Sequence, residues 1–340
     1  SALSTQHSIR LRMKIAVLGA GAWGTAIGIN LAARHDVRLW ARDPALVAAL
    51  RSDGDNRRYL PGFQLPPNLA PESDLARALD GVELILAAVT TGGLRATLRA
   101  VRAAGREAPV VWLCKGFESG QAKLPHQVCA EELPGGVPRG ALSGPSFAEE
   151  VARGLPAALA LASADGGFAR VAARALHGPT LRIYPSEDVV GVGAAGAIKN
   201  VMAIAAGVSD GLGLGLSARA ALITRGLVEM TRLGVALGGR PETFMGLAGV
   251  GDLLLTCTGD LSRNRRVGLA LAGGSPLAGV LAGLGHTAEG VHTARAVAQL
   301  AQALKVEMPI TAAVCRVLDD PRQARGAVQE LLAREQKAEY

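Results

Sequence analysis

A lysine stands near the centre of an apolar run, Val189 to Val208 (VVGVGAAGAIKNVMAIAAGV), with Asn200 beside it. The rest of the run is Gly, Ala, aliphatic residues and Met202, with no other polar residue. As a helix it is apolar on every face, the pattern of a helix buried on all sides. A lysine inside such a helix costs free energy unless it is paired or its pKa falls. A lysine with a lowered pKa is suited to proton transfer. Two blander readings compete. Lys199 can snorkel to the surface and do nothing, or the whole run can span a membrane. The Gly and Ala content and the mid-span Lys-Asn pair argue against a span.

Two further groups sit downstream where Lys199 could use them. Asp252 follows Gly249-Val250-Gly251 and precedes LLLTCT. It is either a helix N-cap after a Gly turn or a carboxylate that holds and tunes the lysine. Ser262-Arg263-Asn264-Arg265-Arg266 reads as an N-cap serine with three arginines in the first helical turn. Cations there oppose the positive end of the helix dipole. An anion would resolve the conflict, because a phosphate can take helix N–H groups and an arginine fork together. A merely solvated arginine cluster is the alternative.

The elements that must position these groups begin with Lys14 to Leu18, a short buried strand running into Gly19-Ala20-Gly21-Ala22-Trp23-Gly24. Thr25 to Arg34 then has helical character. Strand, GxGxxG and helix in that order form a dinucleotide-binding fingerprint. In it Gly19 makes the tight turn, Gly21 lets the pyrophosphate approach and Gly24 packs helix on strand. Val37 to Trp40 reads as the second strand, and Arg42 just beyond it suits a 2′-phosphate, so NADP(H) is the expected cofactor. The alternative is an exposed arginine that stacks on adenine. Leu84 to Val89 and Val110 to Leu113 are further buried strands, the second leading to Cys114-Lys115-Gly116. Polar residues at the C-terminal ends of parallel strands face the ligand crevice, which makes Lys115 a site candidate. Ala141 to Ala148 (ALSGPSFA) follows the same logic. Ala157 to Ala162 and Leu181 to Tyr184 complete the sheet, while Tyr59 to Pro71 reads as a Pro-rich loop.

After Asp188 the strand signals stop. Gly211 to Gly215 reads as a flexible loop, and Arg219 to Gly234 as a helix with Ala220, Ile223, Leu227 and Met230 on one face. Thr243 to Asp252 is a Gly-rich turn into a short helix. Ser262 to Leu271 and Thr293 to Leu304 are further helices. The expected fold is α/β: a Rossmann-type doubly wound sheet over residues 13–187, then a mainly helical domain over 188–340. In that arrangement Lys199 gives a proton to a carbonyl oxygen of a phosphorylated substrate facing a nicotinamide, and Asp252 holds it.

Composition narrows the partners. With 340 residues, 49% hydrophobic and 19% charged, the chain can bury two ordinary cores. Residues 1–12 (SALSTQHSIRLR) read as a tag remnant before Met13. Setting them aside lowers the net charge from +7 to about +5, since Arg10 and Arg12 go with them. Aromatics at 3% give no stacking surface for single-stranded nucleic acid. The modest positive balance suits an anionic small ligand. Cys114, Cys129, Cys257 and Cys315 have no metal or redox spacing and read as reduced thiols of a cytoplasmic protein. The six histidines, His126 and His292 among them, form no ligand pattern, so no metal is expected.

The motifs GAGAWGTAI, YLPG, CKGFE, LSGPSFAEEV, AIKNVMAIAAGVSDGLGLG, ARAALITRGLVEM, PETFMGLAGVGDLLLTCT, SRNRRVG and AEG occur in that order. Together they resemble bacterial-type NAD(P)-dependent glycerol-3-phosphate dehydrogenase over nearly the whole chain after Met13. The resemblance implies interconversion of dihydroxyacetone phosphate and sn-glycerol 3-phosphate for glycerophospholipid synthesis. NADP(H) would be preferred and NAD(H) possible. It implies Lys199 as general acid/base, with Asp252 and Lys115 also catalytic. Lys115, Asp252, Ser262, Arg263 and Asn264 would contact substrate, with Asn200 and Thr256 nearby and Gly144 and Ser146 on the substrate side. Ala22, Trp23, Arg42, Ala148 and Glu289 match cofactor positions, to which Lys115 and Arg263 also contribute. A homodimer is implied, with no nucleic-acid partner and no stable membrane insertion. Three departures stand out. Gly193 replaces the acidic residue of VELGGALKN, Ala88-Val89-Thr90 replaces AVP, and Gly213 to Ala221 replaces GLGDNARAA. The remaining alternatives are a dehydrogenase of another small phosphorylated or acidic substrate, and a catalytically silent NADP-binding sensor.

Overall fold

The structure is a computed structural model that describes residues 12–284 and 288–335. The reading of residues 1–12 as a tag remnant lies, apart from Arg12, outside the described residues.

Runs of Val, Ile, Leu and Ala build an eight-stranded sheet whose central strands are buried on both faces. Its spatial order is Leu181–Ser186, Ala157–Ala162, Arg139–Ser143, Val110–Trp112, Leu84–Ala87, Lys14–Leu18, Asp36–Trp40 and Leu69–Glu72. Ile15 pairs with Val37 on one side and Leu84 on the other. Alternate residues feed two separate cores. Ile15, Val17, Leu86 and Val111 pack under helices Ala22–Ala32, Pro44–Asp53 and Gly166–Leu176. Ala16, Leu18, Ile85 and Trp112 pack under Thr91–Ala103 and Pro125–Glu132. This is the doubly wound arrangement expected from the strand pattern.

Two features of the sheet differ from the sequence reading. Residues 59–71 are not all loop: Leu60–Gln64 pairs with Asp55–Asn56, and Leu69–Glu72 is the parallel edge strand beside Asp36–Trp40. Leu60 and Leu69 are buried and draw the backbone in. Pro71 is tolerated because an edge strand leaves one side without a ladder bond to lose. The second feature is that Ala157–Ala162 runs antiparallel to Arg139–Ser143, while every other pairing in this sheet is parallel. The intervening helix Ala148–Ala152 has 5 residues. Such a helix covers about 7.5 Å, against about 17 Å for a five-residue strand. The chain therefore re-enters from the end at which it left.

Beyond Ser186 the described structure is helical. The Val189–Gly211 helix starts on Asp188, whose carboxylate accepts the Gly191 N–H at 2.8 Å and also the Arg240 N–H and Thr243 hydroxyl. It is buried without interruption from Ala194 to Ser209. Its length and apolarity would allow a membrane span, but 83% of that window is buried inside the protein. Helix 263–272 crosses it in backbone contact: a Cβ at Gly268 would overlap the Ile204 carbonyl, and one at Gly207 the Arg265 carbonyl. The predicted loop at 211–215 shrinks to a turn at 212–214, made possible by positive φ at Gly213 (71°) and Gly215 (85°). The next helix, Gly215–Ala236, buries Ile223, Gly226, Met230 and Leu233, whereas Ala220 is exposed. The buried face is thus displaced toward the C-terminus of the one expected.

Candidate active site

The C-terminal ends of the parallel strands meet the side of the buried helix, and most of the chemistry-bearing residues collect there. The first strand ends in Gly19, with φ 118°. A Cβ there would lie 2.5 Å from the Ala88 carbonyl oxygen, so glycine is required. At Gly24 a Cβ would overlap the Gly19 carbonyl, whereas at Gly21 it would meet nothing within 4 Å. The loop is therefore closed against the protein on two sides and open at Gly21. Helix Ala22–Ala32 begins there with no side-chain cap and no acidic residue in its first turn. Its free N–H groups and dipole form a cradle that fits a pyrophosphate. Asn56 braces the loop by donating to the Ala20 carbonyl at 3.0 Å and the Thr25 hydroxyl at 2.7 Å. Ala148 opens a short helix that packs with Ala22 and Trp23.

Arg42 is exposed at the end of the second strand. Its neighbour Asp43 is committed elsewhere. It caps helix Pro44–Asp53, accepting the Ala45 N–H at 3.0 Å, and pairs with Arg58 at 3.4 Å. A cofactor ribose at this end would meet Arg42, which has no ion pair among the described residues, before it met an uncommitted carboxylate.

Lys199 is buried, and its Nζ donates to Asp252 Oδ1 at 2.6 Å and to the Thr256 hydroxyl at 2.7 Å. It does not snorkel. Asp252 is 1% exposed and also accepts Lys115 Nζ on Oδ2 at 2.7 Å. One carboxylate thus lies between two ammonium groups. Burial is the largest influence on Lys199 and lowers its pKa to about 8; Asp252 opposes this and Lys115 reinforces it. Asp252 does not act as an N-cap. It is the first residue of helix Asp252–Thr258, entered through a π-helical turn over Leu247–Gly251. That wide turn, with Gly251 N–H reaching the Gly246 carbonyl at 3.2 Å, aims the carboxylate at the buried helix. Thr256, one turn on, returns its hydroxyl proton to the Asp252 carbonyl at 2.6 Å.

A second chain of hydrogen bonds ties four segments together. Asn200 donates to the Lys115 carbonyl at 3.4 Å and accepts from Asn264 at 2.9 Å, while Asn264 accepts the Gly290 N–H at 3.1 Å. Lys115 Nζ also reaches the Gly144 carbonyl at 3.1 Å, to which Ser146 donates at the same distance. Glu289 accepts the Thr91 N–H at 3.1 Å, and burial raises its pKa. Neither Asn56 nor Thr91 was identifiable in advance, because their partners lie far away in sequence.

Ser262 does cap its helix, accepting the Arg265 N–H at 3.3 Å. The three arginines behind it are not equivalent. Arg265 is turned away and neutralised by Asp210 and Asp260. Arg263 and Arg266 are exposed, and Arg263 makes no ion pair among the described residues. The anion site expected of three arginines therefore rests on the two exposed ones, of which Arg263 is near enough to Glu289 to oppose the rise in its pKa. No cluster of three metal-ligating side chains occurs among the described residues.

Sequence and structure comparisons agree with this layout. The family model for the N-terminus of NAD-dependent glycerol-3-phosphate dehydrogenase matches residues 14–169, and that for its C-terminus matches residues 188–329. A Nitrosospira multiformis protein named glycerol-3-phosphate dehydrogenase [NAD(P)+] is 59% identical over 331 residues, which are 96% of this chain and 99% of that one. A Dechloromonas aromatica protein of the same name is 57% identical over 327 residues, with 96% and 99% covered. The crystal structure of glycerol-3-phosphate dehydrogenase from Coxiella burnetii superposes with a TM-score of 0.89 at 44% identity, over 95% of this chain and 99% of that one. The chain belongs to the NAD-dependent glycerol-3-phosphate dehydrogenase family.

Proposed function

We propose that the protein catalyses the reversible NAD(P)H-dependent reduction of dihydroxyacetone phosphate to sn-glycerol 3-phosphate. The observation that carries this reading is the buried Lys199–Asp252–Lys115 cluster. It joins Lys115, just past the end of a sheet strand, to Lys199 and Asp252 of the helical half.

The bound nicotinamide supplies or accepts the hydride. Everything else falls to the chain. Gly19, Gly21, Gly24, Ala22 and Trp23 hold the pyrophosphate end, with Ala148, Arg42 and Glu289 lining the remaining cofactor contacts. Arg263, the capped helix terminus at Ser262 and Asn264 take the substrate phosphate. Lys115, Gly144, Ser146, Asn200 and Thr256 orient the three-carbon body. In the reductive direction Lys199 Nζ gives its proton to the substrate carbonyl oxygen as the carbonyl carbon gains hydride, leaving a neutral amine. In the oxidative direction the neutral amine takes the hydroxyl proton. Asp252 is a fixed anion. It keeps Lys199 protonated enough to act as an acid despite burial, and Lys115 limits how far that stabilisation goes.

Arg42, exposed and with no ion pair among the described residues, and the engaged Asp43 support a preference for NADP(H), with NAD(H) also accepted. A kcat/KM for NADH equal to or above that for NADPH contradicts the preference. The division at 187/188 fits as the boundary between a cofactor domain and a catalytic domain. The family resemblance supports a cytoplasmic homodimer supplying glycerol 3-phosphate for phospholipids, and analytical ultracentrifugation tests the dimer. The reaction itself is tested by NADPH oxidation: the protein should consume NADPH with dihydroxyacetone phosphate. Absence of turnover, with NADPH still binding, favours a silent sensor.

A further inference from the structure

Asp210 and Arg265 each occupy a place their own helix disfavours. Asp210 lies in the last turn of the Val189–Gly211 helix, where the dipole is negative. Arg265 lies in the first turn of helix 263–272, where it is positive. Each is offset by the other. Arg265 Nε and Nη2 both reach Asp210 Oδ2 at 2.8 Å, and the two side chains are 11% and 12% exposed. Arg219 adds a second cation on the same oxygen at 3.0 Å, and Asp260 takes Arg265 Nη1 at 2.9 Å.

The pair sits where the two helices touch. Gly207 and Gly268 let the backbones meet and set how closely the helices approach. Val267 and Leu271 pack into the same core as Ile204 and Val208, and Asn264 bonds Asn200 at one end of the crossing. The charged pair adds a directional tie at the other end. Eleven residues separate Asp210 from Lys199, a distance of about 16 Å along the helix. The Arg265 guanidinium is thus drawn toward the far end of the helix, while Asn264 beside it hydrogen-bonds Asn200 and Arg263, with no ion pair among the described residues, acts on Glu289 only at longer range.

We propose that Asp210 is a positioning residue for the substrate phosphate. By capturing Arg265 it holds that side chain out of the anion site and fixes the rotation of the Ser262 helix that presents Arg263. This rests on the reading of Arg263 as the phosphate contact.

The test is steady-state kinetics at saturating NADPH for Asp210→Asn, Arg265→Gln and the double variant. Dihydroxyacetone phosphate and unphosphorylated dihydroxyacetone are the two substrates. Asp210→Asn and Arg265→Gln should each raise KM for the phosphorylated substrate about tenfold, as a displaced binding group does, with kcat within about threefold. The double variant should be no worse than either single one. kcat/KM for dihydroxyacetone should not move. Arg265→Lys, which keeps the charge but not the fork, should recover part of the loss and carries the same test if Asp210→Asn fails to fold. An unchanged KM in the single variants overturns the proposal. So does an equal loss on both substrates, which is the mark of a purely structural pair. If the unaltered protein does not turn over dihydroxyacetone phosphate, the functional reading itself fails and takes this inference with it.

Discussion

Lys199 is pulled in two directions, toward neutrality by burial and by Lys115, toward the cation by Asp252, and the balance falls at about pH 8. The acid form works in ketone reduction, so kcat/KM for reduction, which reports the free enzyme, should be level below that pH and decline as pH rises through it. The base form works in oxidation, so that rate should climb over the same interval. A pH–rate profile in each direction checks the sign. Asp252→Asn removes the opposing charge and should move both limbs to lower pH. Arg263→Ala should mainly raise KM for the phosphorylated substrate, by about tenfold to a hundredfold for a lost charge-assisted contact. Initial rates at saturating NADPH measure it. Lys199 and Ser262 were legible in the sequence because each conflicts with its local surroundings: a charge in an apolar helix, a cap before a cationic turn. The sharing of Asp252 between two lysines was not. Lys115 lies 137 positions from Asp252, and only the meeting of sheet edge and helix brings them together.

Among elements, glycines mark two different demands. Gly268 is pressed against the Ile204 carbonyl, so Gly268→Ala should force the helices apart and destabilise the fold by about 1–3 kcal/mol, the usual cost of overpacking. Urea unfolding measures it. Gly21 faces open space, so Gly21→Ala should leave that stability unchanged while weakening NADPH binding, which a fluorescence titration reads out. Strong apolar runs revealed the six strands expected and the buried helix. The edge strand at Leu69–Glu72 was hidden because Pro71 within it and Pro66 and Pro67 before it mimic a loop, and only one of its residues, Leu69, is buried. The reversal of Ala157–Ala162 was hidden because a strand carries no mark of direction; the length of the preceding connection decides it.

Across the whole molecule, the sheet brings Lys115 and Gly144, the helical half brings Lys199 and Asp252, and neither alone contains the site. The helical half also carries a buried acid remote from it. Glu229 accepts the Ile310 N–H at 2.7 Å and the Thr311 N–H at 3.3 Å, and burial, the dominant influence, raises its pKa to about 7. A raised carboxyl pKa contributes stability that is complete below the unfolded value of about 4.5 and is lost as pH rises through about 7. Glu229→Gln should therefore gain on the unaltered protein between those pH values, as followed by the unfolding midpoint across pH 4.5 to 8. The reaction turns on Lys199 moving the proton. The direct measurement is NADPH oxidation with dihydroxyacetone phosphate by the unaltered protein and by Lys199→Ala, with NADPH binding titrated in both. The expected result is a loss of about a thousandfold in turnover, within the range of general acid catalysis, at an unchanged Kd for NADPH. Turnover by Lys199→Ala within about tenfold of the unaltered protein would contradict it.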